Sequence, residues 1–118
     1  MYDKNNVFAK ILRGEIPVNK IYENEYAVSF HDANPSAEIH VLIIPRGEYV
    51  NAHDFGQRAT AREKQGFWDA CWQTAEKLGL SDNYNIITNV GTGPHGKQSV
   101  MHFHIHLFGG EKTKERIE

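Results

Sequence analysis

The sequence predicts an α+β domain with a mainly antiparallel, five-stranded sheet and two helices that cover one face of that sheet. Three observations favour this fold class. Apolar residues recur at helical spacing in two segments, and five other segments are rich in β-branched and aromatic residues. The resulting order α-β-β-β-α-β-β lacks regular βαβ alternation. With 118 residues and no linker-like stretch or internal repeat, the chain fits a single domain over residues 1–118.

Each predicted helix ends at a glycine. The first spans residues 7–13, carries apolar side chains on one side, and stops before Gly14. The second begins at Thr60, whose spacing to Glu63 is that of a capping box, and stops before Gly79. Its apolar stripe includes Cys, Phe and Trp side chains, which is typical of a helix packed on a core.

Five strands are predicted from apolar runs bounded by turn residues. Residues 21–22 and 26–31 flank a polar turn and predict a β-hairpin. A β-branched run over 39–44 is stopped by Pro45 and predicts a buried strand. The remaining strands are predicted over 84–89 and over 98–108, the last one ending at the pair Gly109-Gly110.

The composition argues against several classes of protein. A formal net charge of −2 gives no basic field that would recruit nucleic acid. The longest apolar runs, such as 41–44, are far too short to span a bilayer. The first residues lack the apolar segment of a secretory signal, and the single Cys71 excludes an intramolecular disulfide. We therefore expect a cytoplasmic protein.

The most informative segment alternates histidines with apolar residues. His102, His104 and His106 would share one face of a strand, roughly 6.5–7 Å apart, because successive side chains of a strand point to opposite faces. The intervening apolar side chains would anchor the other face in the core. Mutual repulsion between three neighbouring imidazoles keeps at least one of them neutral at pH 7.

Two chemistries are consistent with this cluster. Histidines at this spacing can hold Zn²⁺ together with a further ligand. Alternatively, a neutral imidazole can act as a nucleophile on phosphorus while its neighbours orient it and handle protons. Both roles need a neutral ring, so the spacing alone does not separate them.

Three further features have two interpretations each. The loop from Gly91 to Ser99 is either a plain hairpin connection or an anion cradle, with Gln98 and Ser99 as donors to a phosphoryl oxygen. Asp32 either forms a turn or accepts hydrogen bonds from ribose hydroxyls. His40 either caps a buried strand or is a partner of one of the three histidines.

The segment 102–108 resembles the His-φ-His-φ-His-φ-φ signature of the histidine triad (HIT) family, in which φ is an apolar residue. The segments 7–17 and 27–45 look like the family's first helix and middle strands, and 89–100 looks like its phosphate loop. The likeness extends to the Hint-type purine nucleoside phosphoramidases, which are small homodimers. His106 argues against the nucleotidylyltransferase branch, which has glutamine at that position.

The resemblance implies a mechanism that requires no metal or other cofactor. His104 would attack the α-phosphorus of a nucleoside phosphoramidate, and water would hydrolyse the nucleotidyl-histidine intermediate. His102 and His40 would orient the nucleophile, as the third member of a catalytic triad does. His106 and Ser99 would bond the phosphate or help to protonate the leaving group.

The resemblance also implies a pocket for an AMP-type purine nucleotide. The residues that would line it are Phe8, Ile11 and Phe30 at the base, Asp32 at the ribose, and Asn89, Gln98, Ser99, His104 and His106 at the sugar and phosphate. Ala33 and Lys97 also belong to the substrate-binding set, and both depart from the family's usual pattern. Ala33 replaces a large aliphatic residue, and Lys97 replaces a glycine that often precedes Gln-Ser. Trp68 and Trp72 are the sequence features that best support a dimer interface.

Three alternative functions remain open at this point. A dinucleoside polyphosphate hydrolase would use the same residues on a different substrate. A metal-binding protein would use His102, His104 and His106 as ligands. A nucleotide-binding interaction module would bind AMP without turning over any phosphoramidate.

Overall fold

The computed structural model describes residues 1–113, and its elements confirm the α+β class. In chain order they are α1 Val7–Leu12, β1 Lys20–Glu23, β2 Ala27–His31, β3 Ala37–Pro45, α2 Ala52–Arg58, α3 Ala61–Lys77, β4 Tyr84–Ile87 and β5 Ile105–Thr113. None of the helices in the described part of the chain is long and apolar enough to cross a membrane.

The five strands form one antiparallel sheet, which confirms the predicted arrangement. Their order in the sheet is β1-β2-β3-β5-β4. The predicted hairpin is β1 and β2. The centre of the sheet is the pairing of β3 with β5, in which Leu42 lies opposite His106 and His40 lies opposite Phe108. The two strands that carry predicted site residues are therefore neighbours, although more than 60 residues separate His40 from His106.

The prediction that both helices cover one face of the sheet is wrong. The helix α3 packs on the face that carries Val41 and Ile43, whereas α1 packs on the opposite face against Leu42 and Ile44. The reason lies in β3, where all six residues from His40 to Pro45 are buried. A strand that is apolar on both sides needs cover on both sides.

The helix α2 was not predicted. Asn51 caps it by accepting a hydrogen bond from the backbone N–H of Asp54 at 2.9 Å. Phe55 is its only buried side chain, so these seven residues show no apolar periodicity. Helix α3 starts with the predicted capping box between Thr60 and Glu63.

The last strand differs most from its prediction. Residues 98–104 lie outside the sheet, and β5 starts only at Ile105. The backbone N–H of Phe103 donates instead to the carbonyl of Tyr49 at 2.7 Å, which ties this stretch to a loop. At the other end, Gly109 and Gly110 do not stop the strand, because Gly109 pairs with both Ile39 and Tyr84.

Other boundaries shift by a few residues. The first helix ends at Leu12, and Gly14 follows it with a φ of +78°. Strand β3 is longer than predicted and includes Pro45, whereas β4 stops at Ile87. Such shifts are ordinary for element ends.

A glycine in the middle of α3 gives a test of the packing between that helix and the sheet. A Cβ on Gly66 would lie 2.4 Å from Cδ2 and 2.9 Å from Cβ of Tyr26. We therefore expect Gly66→Ala to lower the free energy of unfolding by about 1–3 kcal/mol, although alanine normally favours a helix. Urea unfolding measures this change.

Gly56 is the matched control, because it also lies in a helix but a Cβ there meets nothing within 4 Å. Gly56→Ala should stabilise the protein by about 0.5–1 kcal/mol. Equal effects of the two substitutions would show that the contact with Tyr26 does not constrain α3.

Candidate active site

The three histidines do not lie on one strand face. His102 and His104 belong to the irregular segment before β5, and only His106 lies within the strand. The rings still cluster, since the centroids of His104 and His106 are 5.0 Å apart. Phe8 on α1 packs edge-on against both His104 and His102, at 4.9 and 6.2 Å. The cluster therefore sits on the face of the sheet that α1 covers.

Both ring nitrogens of His102 are engaged. Its Nε2 lies 2.8 Å from the carbonyl oxygen of Pro45, which can only accept, so the proton is on Nε2. Its Nδ1 then accepts a hydrogen bond from the hydroxyl of Tyr2 at 2.6 Å. Burial lowers the pKa of His102 to about 4, so the ring is neutral at pH 7. Ligating a metal would require breaking one of these bonds.

The tautomer of His104 is fixed by the backbone. Its Nδ1 lies 2.7 Å from the carbonyl oxygen of His102, so Nδ1 carries the proton. In the neutral ring the lone pair is consequently on Nε2. Burial lowers the pKa of His104 and favours this neutral form. The middle histidine thus presents a nucleophilic nitrogen.

A second chain of hydrogen bonds fixes the tautomer of His106. The backbone N–H of Ser36 donates to Nδ1 of His40 at 3.1 Å, so the proton of His40 is on Nε2. That nitrogen lies 2.9 Å from Nδ1 of His106, which accepts, and 3.4 Å from a carboxylate oxygen of Asp32. His106 therefore carries its own proton on Nε2, where it can serve as a donor.

Burial also sets the charge of this second pair. It lowers the pKa of His106 to about 4, and repulsion from His104 and His40 acts in the same direction. Burial lowers the pKa of His40 as well, while the carboxylate of Asp32 opposes that shift. The cluster is therefore neutral at pH 7 although it contains four imidazoles.

Asp32 forms the predicted turn and also lies beside the histidines. One carboxylate oxygen accepts from the backbone N–H of Asn34 at 2.8 Å, and the other faces His40. Its side chain is 19% exposed, so it remains accessible to a ligand. Ala33 is exposed next to it.

The predicted base-pocket residues lie in the α1-side core. Phe8, Ile11 and Phe30 are each more than 90% buried, and the rings of Phe8 and Phe30 are 6.0 Å apart. Their packing anchors α1 beside His104. A ligand would reach only the outer edges of these side chains.

The glycine-rich loop is held by Gln98, whose amide is fully engaged. Its Nε2 donates to the carbonyls of Val50 and Val100 at 2.6 and 2.9 Å, and its Oε1 accepts from the N–H of Gly91 at 2.8 Å. As a result, its side chain stabilises the loop and has no free N–H for a phosphate. Of the other predicted loop residues, Ser99 and Lys97 are exposed and Asn89 is half-buried.

Lys97 shows why a glycine is common at its position. Its φ is +54°, in the left-handed region that side chains disfavour. Close by, a Cβ on Gly96 would lie 2.3 Å from two backbone oxygens, so that site admits only glycine. The loop therefore retains a lysine in a backbone conformation that glycine adopts more easily.

Among residues 1–113, the group that could share a metal ion differs from the three histidines predicted as ligands. Asp32, His40 and His106 each offer a ligand atom, and these atoms lie within 4.8 Å of one another. Binding through Nε2 of His40 would move its proton to Nδ1, where the N–H of Ser36 already points. Metal binding through His40 would therefore require this hydrogen bond to rearrange.

Sequence reasoning missed four groups that hold the site. They are the Tyr2 hydroxyl, the Ser36 amide, the Pro45 carbonyl and the hydroxyl of Thr88, which donates to the carbonyl of His104 at 2.7 Å. Two of them are main-chain groups, which no residue pattern can reveal. Tyr2 is 100 positions from its partner, so only the tertiary structure joins them.

Comparison with known proteins gives consistent findings. A family model described as the HIT domain matches residues 13–113. A HIT-like protein of Azospirillum brasilense is 47% identical over 117 residues, covering 98% of this chain and 94% of that protein. The structure of a HIT family hydrolase from Clostridium thermocellum superimposes with a TM-score of 0.84 at 35% identity, covering 98% and 99% of the two chains. A 14 kDa zinc-binding protein of Zea mays is 34% identical, covering 93% and 85%.

The buried neutral histidines predict a loss of stability in mild acid. Since the pKa of His102 is 6.5 in the unfolded chain and about 4 in the folded protein, the unfolded chain binds a proton that the folded protein excludes between these values. The free energy of unfolding should therefore decrease from pH 7 to pH 5, by about 2 kcal/mol for this residue and similarly for His106.

Urea unfolding at pH 7, 6 and 5 measures this dependence, and proton uptake on unfolding at pH 5.5 checks it independently. Asp54 has a pKa of about 2, so its protonation affects the unfolding free energy only at lower pH than this range. An unfolding free energy that stays constant down to pH 5 would contradict the neutral burial of these rings.

Proposed function

Since this chain belongs to the histidine triad (HIT) family, which includes hydrolases, we propose that it hydrolyses nucleoside 5′-phosphoramidates of the AMP type. The observation that carries the proposal is the hydrogen bond from Nδ1 of His104 to the carbonyl of His102. It leaves Nε2 of a buried, neutral imidazole free to attack phosphorus. We further propose that the enzyme belongs to the Hint-type branch of the family.

The first step forms a bond between Nε2 of His104 and the α-phosphorus and breaks the P–N bond. The ring gains positive charge as the bond forms, and the carbonyl of His102 stabilises that charge through the Nδ1–H. The Nε2–H of His106 and the hydroxyl of Ser99 are the proposed donors to the phosphoryl oxygens or the leaving nitrogen.

In the second step water attacks the nucleotidyl-histidine and restores the neutral ring. The water loses one proton, which balances the proton that the leaving nitrogen takes up. Phe8 packs against His104 and shields it from water. Few water molecules can therefore attack the phosphorus before Nε2 of His104 does. Neither step draws on a metal or another cofactor.

The nucleotide would lie along the open side of the histidine cluster. We propose that Asp32 accepts hydrogen bonds from the ribose, since one of its oxygens is accessible beside His40. The outer edges of Phe8, Ile11 and Phe30 would face the base, next to the exposed Ala33. The phosphate would meet the loop that includes Asn89, Lys97, Ser99 and the backbone around Gln98.

Replacing the nucleophile tests the mechanism. His104→Ala should lower kcat for an adenosine phosphoramidate by about 10³-fold or more, because the covalent route is lost. His53→Ala is the matched control, since His53 is an exposed histidine on α2 and should leave kcat unchanged. Circular dichroism would verify that both variants fold. Retention of full activity by the His104 variant would exclude the mechanism.

Additional assay conditions separate the alternative functions. A preference for dinucleoside polyphosphates over phosphoramidates would indicate the other hydrolase type. Loss of activity with excess chelator would favour a metal held by Asp32, His40 and His106, in keeping with the name of the maize relative. Tight AMP binding by a protein that turns over neither substrate would indicate a binding module.

We also propose that the protein forms a homodimer. Trp68 and Trp72 are about half exposed on α3, and Tyr84 and Ile86 are exposed on β4, which is an edge strand of the sheet. Exposed aromatic residues and a sheet edge are features that association often buries.

Light scattering should give the mass of two chains for the natural protein and of one chain for Trp72→Glu, because a charge would disfavour burial of that surface. Lys4→Glu serves as the control, since Lys4 is exposed and lies before α1. A monomer at micromolar concentration of the natural protein would exclude the dimer.

A further inference from the structure

The N-terminal residues reach into the histidine cluster from outside the segment that the family model matches. The hydroxyl of Tyr2 lies 2.6 Å from Nδ1 of His102, and the two rings meet edge-on with centroids 5.6 Å apart. This segment is held in place, because the guanidinium of Arg13 donates to the carbonyl of Lys4 at 2.8 Å.

The direction of the hydrogen bond follows from the other side of the ring. The carbonyl of Pro45 requires a proton on Nε2 of His102, so Nδ1 has only a lone pair and Tyr2 must donate. Burial raises the pKa of Tyr2, so its hydroxyl keeps that proton at neutral pH. Within residues 1–113, the hydrogen bond to Nδ1 of His102 comes from this hydroxyl.

His102 connects Tyr2 to the proposed nucleophile. Its ring is held between the Tyr2 hydroxyl and the Pro45 carbonyl, while its own carbonyl accepts the Nδ1–H of His104. A ring held at both nitrogens restricts the backbone that carries this carbonyl. Without the hydroxyl, a buried lone pair would lack a donor, and the ring could rotate or change its tautomer to find one.

We propose that Tyr2 is a positioning residue, which acts through His102 to keep the lone pair of His104 on Nε2. The proposal rests on the proposed function, in which His104 is the nucleophile. Tyr2 does not itself contact the reacting atoms in this scheme. Its contribution is to hold the ring of His102 so that the carbonyl stays in line with Nδ1 of His104.

Tyr2→Phe tests the hydroxyl alone, because phenylalanine keeps the edge-on ring contact. We expect kcat for an adenosine phosphoramidate to fall by about 10- to 100-fold with KM changed less than twofold, since the substrate pocket is intact. Tyr22→Phe is the matched control on β1, and kcat should stay unchanged there.

A second measurement does not depend on turnover. Ring ¹⁵N shifts of the natural protein should report Nε2–H for His102 and Nδ1–H for His104. In Tyr2→Phe, the Nδ1 shift of His102 should move, and His104 should show a mixture of tautomers. Tyr22→Phe should give the natural spectrum.

The two measurements distinguish the possible failures. A natural protein that turns over phosphoramidates, with a Tyr2→Phe variant of equal kcat, would overturn the positioning role and leave the proposed function intact. Unchanged ¹⁵N shifts in Tyr2→Phe would also overturn it. If the natural protein hydrolyses no phosphoramidate, the proposed function fails, while tautomer mixing at His104 in Tyr2→Phe would still support the link through His102.

Discussion

The hydrogen bond between Nδ1 of His104 and the carbonyl of His102 is the interaction on which the chemistry of this site depends. An imidazole has two similar nitrogens, and an unconstrained ring would place its lone pair on either of them. Here a main-chain oxygen at 2.7 Å selects one tautomer, and burial lowers the pKa of His104 and so disfavours protonation of the other nitrogen. Since a carbonyl cannot donate, this choice does not depend on the charge of any neighbouring group.

The fold provides for this interaction by leaving the histidine segment partly outside the sheet. A residue within a central antiparallel strand has its carbonyl directed at the next strand. Because β5 begins at Ile105, the carbonyl of His102 is free to turn toward the ring two residues further on. His106, by contrast, lies inside β5 opposite Leu42, where the pairing with β3 brings it beside His40. The tautomer of His104 is therefore fixed by the backbone of its own segment, whereas the tautomer of His106 is fixed by a residue of the neighbouring strand.

Much of this architecture was predictable from the sequence. Apolar periodicity and capping residues identified α3, and β-branched runs identified the strands and their antiparallel arrangement. The alternating histidines located the site, although they predicted a continuous strand from residue 98. That prediction was wrong because an alternating pattern indicates which side chains are buried, not whether the backbone pairs in a sheet. Hydrogen bonds with Tyr49 and Gln98 hold this segment, so its side chains are buried without strand pairing.

The remaining errors have physical causes of the same kind. Strand β3 is buried on both faces, so each face needs a helix to cover it. The sequence of the strand alone does not show which helix covers which face. Gln98 was expected at the phosphate because amides are good donors, but its N–H groups are used by two carbonyls of the chain. The partners of His102 and His40 come from distant or main-chain groups, so they emerge only from the folded structure.

The amide of Ser36 has a consequence for how substitutions at this position would act. Its N–H starts the series of donors that runs through His40 to His106, so a group in an exposed turn sets the polarity of two buried rings. Nineteen amino acids supply the same N–H, and proline alone lacks it. Proline at position 36 would therefore remove the first donor of this series, whereas any other residue would keep the N–H and lose only the 3.4 Å contact between the serine hydroxyl and Nδ1 of His40.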